Sequence, residues 1–492
     1  MDESTARDYL ARGLAHIEAE RPNWKRREDY YRGRQDLPYA PQGVNAEYLS
    51  LREMSIANWL ALAMDTPIQR LRAEGFRTGR DADADTTTWN EIWQPNKLDS
   101  RQRIVYTQMV VHKRGLMSVW PNPNNRKSPI IRPENGERVH LQMDPEDPFT
   151  VKWAVKTFTI EDGTGSNLVL PATFVSTRER QVGVVYDATT WARFEKGGST
   201  YSGDWVLTDG GTHPLGEPPF VPFDNRQDAD GNPQSAIEPL MPAQDAINTI
   251  RFQTLLAMQF SAYRQRVFTG YDPVIKDAQG NVVFRKDANG EIVLNADGQP
   301  IPVINSPGRI GVDRALIFPG ADTKVFDLPE SNLANYISVL GEFLSDLFAV
   351  GQVPPQYLLN RMANLSGDAL AGAESTLQSL VTDLQRWTGE SLEQVMRLAN
   401  RARGEDEPDV ASEVVWADAE ARSFAQTIDG IVKLISVRFP TKAGFEMIPG
   451  ATPPKVNRWM DMVAEEQETD PVVRATRALT DLTPSAPTNA TS

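Results

Sequence analysis

The sequence predicts an α+β protein in which helix predominates, and three observations predict it. Long stretches place apolar residues three or four apart, and between Pro242 and Gly270 neither proline nor glycine occurs for 27 residues. The region 116–223 is instead cut into short apolar runs by Gly, Pro, Asn and Asp, the texture of strands and hairpins. The region 270–329 returns to that texture and carries three look-alike turns at 277–280, 287–290 and 295–298, each ending on glycine.

Taken in order, Leu10, Leu14 and Ile17 give a helix between residues 5 and 20, and Pro22 is expected to stop or redirect it. A second helix is expected over 46–71, with Pro67 as a kink. Asp81, Asp83 and Asp85 read as a solvated turn. Trp89, Ile92 and Trp93 mark a short helix, and an amphipathic helix over 100–114 ends at Gly115. Strands are expected at 151–160, 167–170, 181–186 and 191–194. Eight of the eleven tryptophans lie in the first 205 residues, so the N-terminal part should own the largest aromatic core. A domain boundary is expected near 222–239.

The stretch 242–270 carries Ile247, Ile250, Leu255, Met258 and Phe260 and predicts a rod of about 40 Å. A second rod from 331 to Gly351 carries Leu333, Ile337, Leu340, Leu344, Leu347 and Phe348. Pro354 and Pro355 make 352–366 a loop. A third long helix follows over 366–403 with Ser366 as N-cap, then an acidic stretch at 405–409. Helices are expected over 417–437 and 454–468, and the last ten residues, rich in Thr, Ser, Pro and Ala, should be disordered.

At 492 residues the chain has room for about three or four structural units. Its 40% hydrophobic and 24% charged residues are ordinary for a globular protein. Having no cysteine, it holds no disulfide, thiolate metal site or cysteine nucleophile. It has no run of about 18 uncharged apolar residues, so no membrane partner is expected. A net charge of −15 disfavours a surface that grips phosphate throughout but suits passage of a duplex, which must not be held.

Tests for chemistry return nothing. There is no Gly-x4-Gly-Lys-Ser/Thr phosphate loop and no Gly-x-Ser-x-Gly nucleophile turn. His16, His112, His140 and His213 are not at metal-binding spacing and read as structural or surface residues. Calcium fails over 224–238, where Gly231 misses the sixth loop position, and at the three later turns, which lack a terminal glutamate. No catalytic residue, metal or cofactor is assigned. Two rods around an insert cannot both cover their apolar faces within one chain, so they call for neighbouring copies, which a ring supplies.

Several strings, in this order and spacing, resemble one family: Tyr30-Tyr31-Arg32-Gly33, the stretch 58–76, the segment from Glu91 through Trp93 and Asn96 to Asp99, the segment from Lys113 to Trp120, the segment from Val221 to Arg226, and the segment from Asn364 to Leu370. They are similar to portal proteins of tailed bacteriophages, of the SPP1 type. The resemblance implies portal architecture: a wing at 1–235, a first stem helix at 236–269, a clip at 270–330, a second stem helix at 331–350, a tunnel loop at 351–365, a long wing helix at 366–409, a crown at 410–482 and a disordered tail at 483–492. It implies a homo-oligomeric ring, typically of twelve, at one capsid vertex of the virion, assembled in the host bacterial cytoplasm against major capsid protein or scaffold. Double-stranded DNA would pass through it, and the terminase large subunit and then head-tail adaptor proteins would dock on the clip. The tunnel-loop side chains Gln352, Gln356, Asn360, Arg361 and Asn364 would touch DNA; they would serve equally in a loop packed on its neighbour. The rivals are another structural virion protein, from the capsid or tail, and a hydrolase. A tail fibre would show repeats, and a hydrolase would show a nucleophile or metal motif.

Overall fold

The computed structural model describes residues 1–40, 49–77, 86–162, 178–197, 201–262, 266–269, 274–295, 297–304, 324–327, 333–354, 367–405, 412–417, 424–448, 451 and 453–469. The expected turn at 81–85, the strand at 167–170 and the last ten residues lie outside them. The chain runs α1 (Glu3–Tyr31), α2 (Leu51–Ser55), α3 (Trp59–Ile68), β1 (Ala73–Arg77), a π-helical turn (Trp89–Trp93), α4 (Leu98–His112), β2 (Arg114–Trp120), β3 (Ile130–Glu134), β4 (Val139–Met143), β5 (Val151–Asp162), β6 (Arg178–Tyr186), β7 (Thr190–Gly197), β8 (Tyr201–Thr212) and β9 (Phe220–Asp224). Then follow α5 (Met241–Ala262), β10 (Arg266–Thr269), β11 (Lys324–Asp327), α6 (Leu333–Val350), α7 (Gly367–Arg403), β12 (Glu413–Trp416), α8 (Phe424–Ser436), α9 (Thr441–Glu446) and α10 (Pro453–Thr469). The mixture of helices and strands is α+β. The chain divides into two compact units, one of Met1–Asp36, Asn58–Gln244 and Ser345–Ser492, the other of Leu37–Ala57 and Asp245–Leu344. The division falls inside α5 and α6 rather than at 222–239, because Leu240, Met241 and Gln244 at the start of α5 are buried in the first unit, where the Gln244 Oε1 accepts from the Trp59 N–H at 3.1 Å.

In the first unit, a five-stranded antiparallel sheet of order β4-β5-β6-β7-β8 lies between two layers. Successive strand residues point to opposite faces. On β5, Trp153 and Val155 face a core with Ala6, Leu10 and Ile17 of α1 and with Val185 and Phe194, whereas Ala154 faces Leu116 and Phe220 of the three-stranded sheet β3-β2-β9. Asp2 caps α1, its side chain accepting from the Thr5 N–H at 2.7 Å. Pro22 does not end α1. It sits on the exposed side, where the backbone carbonyl it leaves without an N–H partner can face water, and the helix continues through it. The part beyond it is pinned by side chains: Trp24 stacks on His112 at 3.6 Å, buried Arg27 pairs with Glu20 and Glu238, and the Tyr31 hydroxyl donates to Asp65 at 2.8 Å.

The expected helix over 46–71 is two helices. Asn58 interrupts it as the N-cap of α3, accepting from the Ala61 N–H, while Pro67, the penultimate residue of α3, breaks nothing. α4 ends at His112, with Lys113 in the left-handed region. Gly115 then passes so close to the Val105 carbonyl that a Cβ there would meet it at 2.3 Å. α7 buries Leu377, Val381, Leu384, Thr388, Leu392, Val395 and Ala399, one stripe at heptad spacing, against β2, β9 and α3. Residues 413–416, just before the expected helix over 417–437, form β12 on β1; within that range the described helix is α8, and residues 418–423 lie outside the described residues. The short α9 was not expected.

In the second unit, Arg251 Nε donates to the Ser55 carbonyl at 2.8 Å and Asn248 accepts from the Ala57 N–H at 3.1 Å, tying α2 to α5. The 22 residues of α5 span about 33 Å, short of the expected 40 Å. The reason is that Val267, Phe268 and Thr269, good strand formers, pair antiparallel with β11. Between those strands, residues 274–304 build a small module of two hydrogen-bonded triangles. Ile275 donates to Val303, Val303 to Val283 and Val283 to Ile275; Arg285, Ile301 and Val293 repeat the pattern. Its three turns are hairpin turns as predicted. Asp277, Asp287 and Asn295 each accept from the N–H groups two and four residues on, and Gly280 and Gly290 sit at φ +87° and +85°, a backbone other residues enter only under strain. Asp228–Asn232 in the first unit is a fourth copy of the same turn.

Candidate functional site: the uncovered helix faces and the turn after them

The burial of the two expected rods is graded along their lengths. α5 is buried at Gln244, Ile247, Asn248 and Phe252, but by Met258 it is 49% exposed. α6 runs the other way. Only Leu347 and Phe348 near its end are buried, while Ile337 is 66% exposed, Val339 46% and Val350 64%. By length and composition α6 would suffice to cross a membrane, although Glu342 and Asp346 lie within it one turn apart. An amphipathic face left in water loses about 25 cal/mol for each Å² it could have buried, so α6 is stable only at a cost that a covering surface would remove.

α6 closes on Gly351. The Gly351 N–H donates to Leu347 and the Val353 N–H to Phe348, with Gln352 between them in the left-handed region at φ +53°. Of the five side chains expected to touch DNA, the described residues include Gln352 alone; Gln356, Asn360, Arg361 and Asn364 lie outside them. Gln352 is half-buried, and its Oε1 is buried with no hydrogen-bond partner among the described residues. It lines a pocket of about 170 Å³ with Asn225, Arg226, Gln234, Leu240 and Leu384. Arg226, likewise left-handed at φ +48°, is exposed and makes no hydrogen bond or ion pair among the described residues. Sequence reasoning quoted Arg226 only within a family string and gave it no role. Nothing in the composition around it signals a positive φ.

Among the described residues no three His, Asp or Glu side chains converge where a metal ion would fit. The carboxylates that might have suggested one are occupied: Asp277 and Asp228 by turn N–H groups, which hold both below the usual range, and Asp224 by Arg114 and Gln227. Fold and site together define a protein whose uncovered apolar surface lies on its helices. The sequence comparison is specific: residues 10–471 match the family described as phage portal protein, SPP1 Gp6-like, and the chain belongs to that family. It is similar to the portal protein of Mycobacterium phage D29, 26% identical over 449 residues that cover 88% of this chain and 82% of the relative. It is also similar to the portal protein of Mycobacterium phage L5, 27% identical over 389 residues, 76% of this chain and 71% of the relative. Portal proteins are structural components of the phage capsid and serve DNA packaging; they are not enzymes.

Proposed function

We propose that this chain forms a ring of twelve copies at one capsid vertex, through which double-stranded DNA enters during packaging and leaves on ejection. The observation that carries the ring is the bare apolar surface of α6: Ile337 on one side and Val339 and Val350 on the other stay exposed in the single chain, and identical neighbours arranged around an axis cover both sides without a different partner. In this reading 1–235 and 366–409 form the wing, 236–269 and 331–350 the stem, 270–330 the clip, 351–365 the tunnel loop and 410–482 the crown. Terminase large subunit and then head-tail adaptor protein dock on the clip, and major capsid protein or scaffold surrounds the wing. Assembly takes place in the host cytoplasm. The net charge of −15 per copy disfavours tight capture of the passing duplex.

Gln352, Gln356, Asn360, Arg361 and Asn364 make the transient DNA contacts, one cation per copy among hydrogen-bonding amides. Electron microscopy and mass measurement of the purified protein test the assembly: rings with a central hole support it, and a stable monomer at micromolar concentration ends it. Arg361→Glu is expected to change packaging rate or packaged length; unchanged packaging removes the DNA-facing role from that loop.

A further inference from the structure

Three of the chain's four histidines, His16, His112 and His140, line one pocket of about 290 Å³ in the first unit, contributed by α1, α4 and β4. His16 on the exposed side of α1 stacks on His140 of β4, ring centres 4.5 Å apart and 6° from parallel. His140 in turn leans on Trp153, which also carries Tyr9 in a 4.6 Å stack and the Arg12 guanidinium at 5.2 Å. The fit beneath is close, for a Cβ on Gly13 would lie 2.5 Å from Val155. We propose that α1 is a strap across the five-stranded sheet that acid releases, with the His16–His140 stack as its catch.

The charges around the stack favour release once the His140 imidazole gains a proton. From α1 it faces Arg12, Glu20 and Arg21; from the start of β2, Arg114; from the end of α4, His112 and Lys113; from the turn before β4, Glu137; and from β4 itself, Gln142. The carboxylates among and beside these are already engaged. Glu20 holds Lys113 at 3.0 Å and Arg27 at 2.9 Å, Glu28 holds His112 at 2.9 Å, Glu137 faces Arg21 at 3.8 Å and Asp224 holds Arg114. His140 Nε2 is buried with no hydrogen-bond partner among the described residues, so a proton added there meets no acceptor among them. A proton on His140 puts charge on a buried ring beside Arg114 and Arg12, and the pocket beside it gives water a way in.

The sign follows from the seated ring. Burial, then His16, then Arg114 hold the His140 imidazole down at about 4, below the 6.5 of a free histidine. The strap is therefore fully held above about pH 6.5 and loosens as pH falls towards 4. Between pH 8 and pH 5 that difference favours the released form about 30-fold.

Hydrogen–deuterium exchange of the full-length protein, with times corrected for intrinsic chemical exchange, tests this. Peptides from residues 5–20 are expected to lose about 30-fold in protection from pH 8 to pH 5 while peptides from 377–402 of α7 hold theirs. Equal loss in both segments is global unfolding and overturns the strap. His140→Phe keeps a stacking ring without the proton and is expected to abolish the acid response of 5–20. Should that variant fail to fold, the exposed His16→Phe decides alone: a smaller acid response supports the catch, and a response equal to wild type refutes it.

Discussion

α1 and α6 make opposite use of their composition. α1 is studded with Arg, Glu and Asp and contains Pro22, yet its narrow stripe of Ala6, Leu10, Gly13 and Ile17 is buried against the sheet. α6 is apolar over most of its length and buries two residues. Apolar content measures how much a helix has to gain by burial, not whether its own chain supplies the cover. Where the two disagree, as in α6, the single chain leaves apolar surface bare, which copies in the proposed ring would cover.

The largest effect should come from breaking α6. Ile337→Asp is expected to dissolve the assembly, since a charge set in a buried contact costs about 2 kcal/mol or more per interface. An exposed residue moves the stability of the single chain by only about 0.5 kcal/mol. Mass measurement and thermal unfolding of one preparation read both. Leu10→Ala in α1 should do the reverse, lowering stability by about 2–5 kcal/mol in urea unfolding through the cavity it leaves. Gly13→Ala is smaller, a net loss of about 1 kcal/mol, because the Cβ crowds Val155 while alanine improves the helix.

The smallest effect sharpens the comparison through pH. Glu393 on α7 is pushed up to about 7 by burial, with Glu390 and Glu413 adding to it against Arg397. A carboxyl so raised stabilises the fold when protonated, below about pH 4.5, and that contribution is lost as pH rises towards 7. Glu393→Gln should therefore gain in urea midpoint over wild type between pH 4.5 and 8, the direction opposite to the acid response of α1. No gain at pH 8 would place the Glu393 carboxyl in water.

Much of this was legible in the sequence wherever a local pattern decided the outcome. Leu333 to Phe348 keep helical spacing, Gly351 stops them, and α6 runs Leu333–Val350. The glycine turns declared themselves by composition, since each needs one residue at positive φ. Reading failed where a distant partner decides. Pro22 is overridden by Trp24, Arg27 and Tyr31, whose partners lie far along the chain. Arg266 to Thr269 continue the helical pattern of α5 but become a strand because Lys324 to Asp327 lie opposite. At the site, Gln352 was found as the residue after α6, but its company with Arg226, 126 positions earlier, follows only from the fold. For the same reason residues 16, 112 and 140, each unremarkable alone, gave no hint of sharing one pocket.

α7 has a mechanical consequence. Its 37 residues, about 55 Å, contain no proline, and Gly372 and Gly389 are its only soft points past the first residue. The far end is bolted down, Arg401 to Glu217 and Arg403 to Glu91. The near end begins where residues 355–366 stop. Near its start Glu374 pairs with Arg70 at 2.8 Å, so the helix is tied down at both ends, and a load along it would pass to the strands it packs on, β2 and β9.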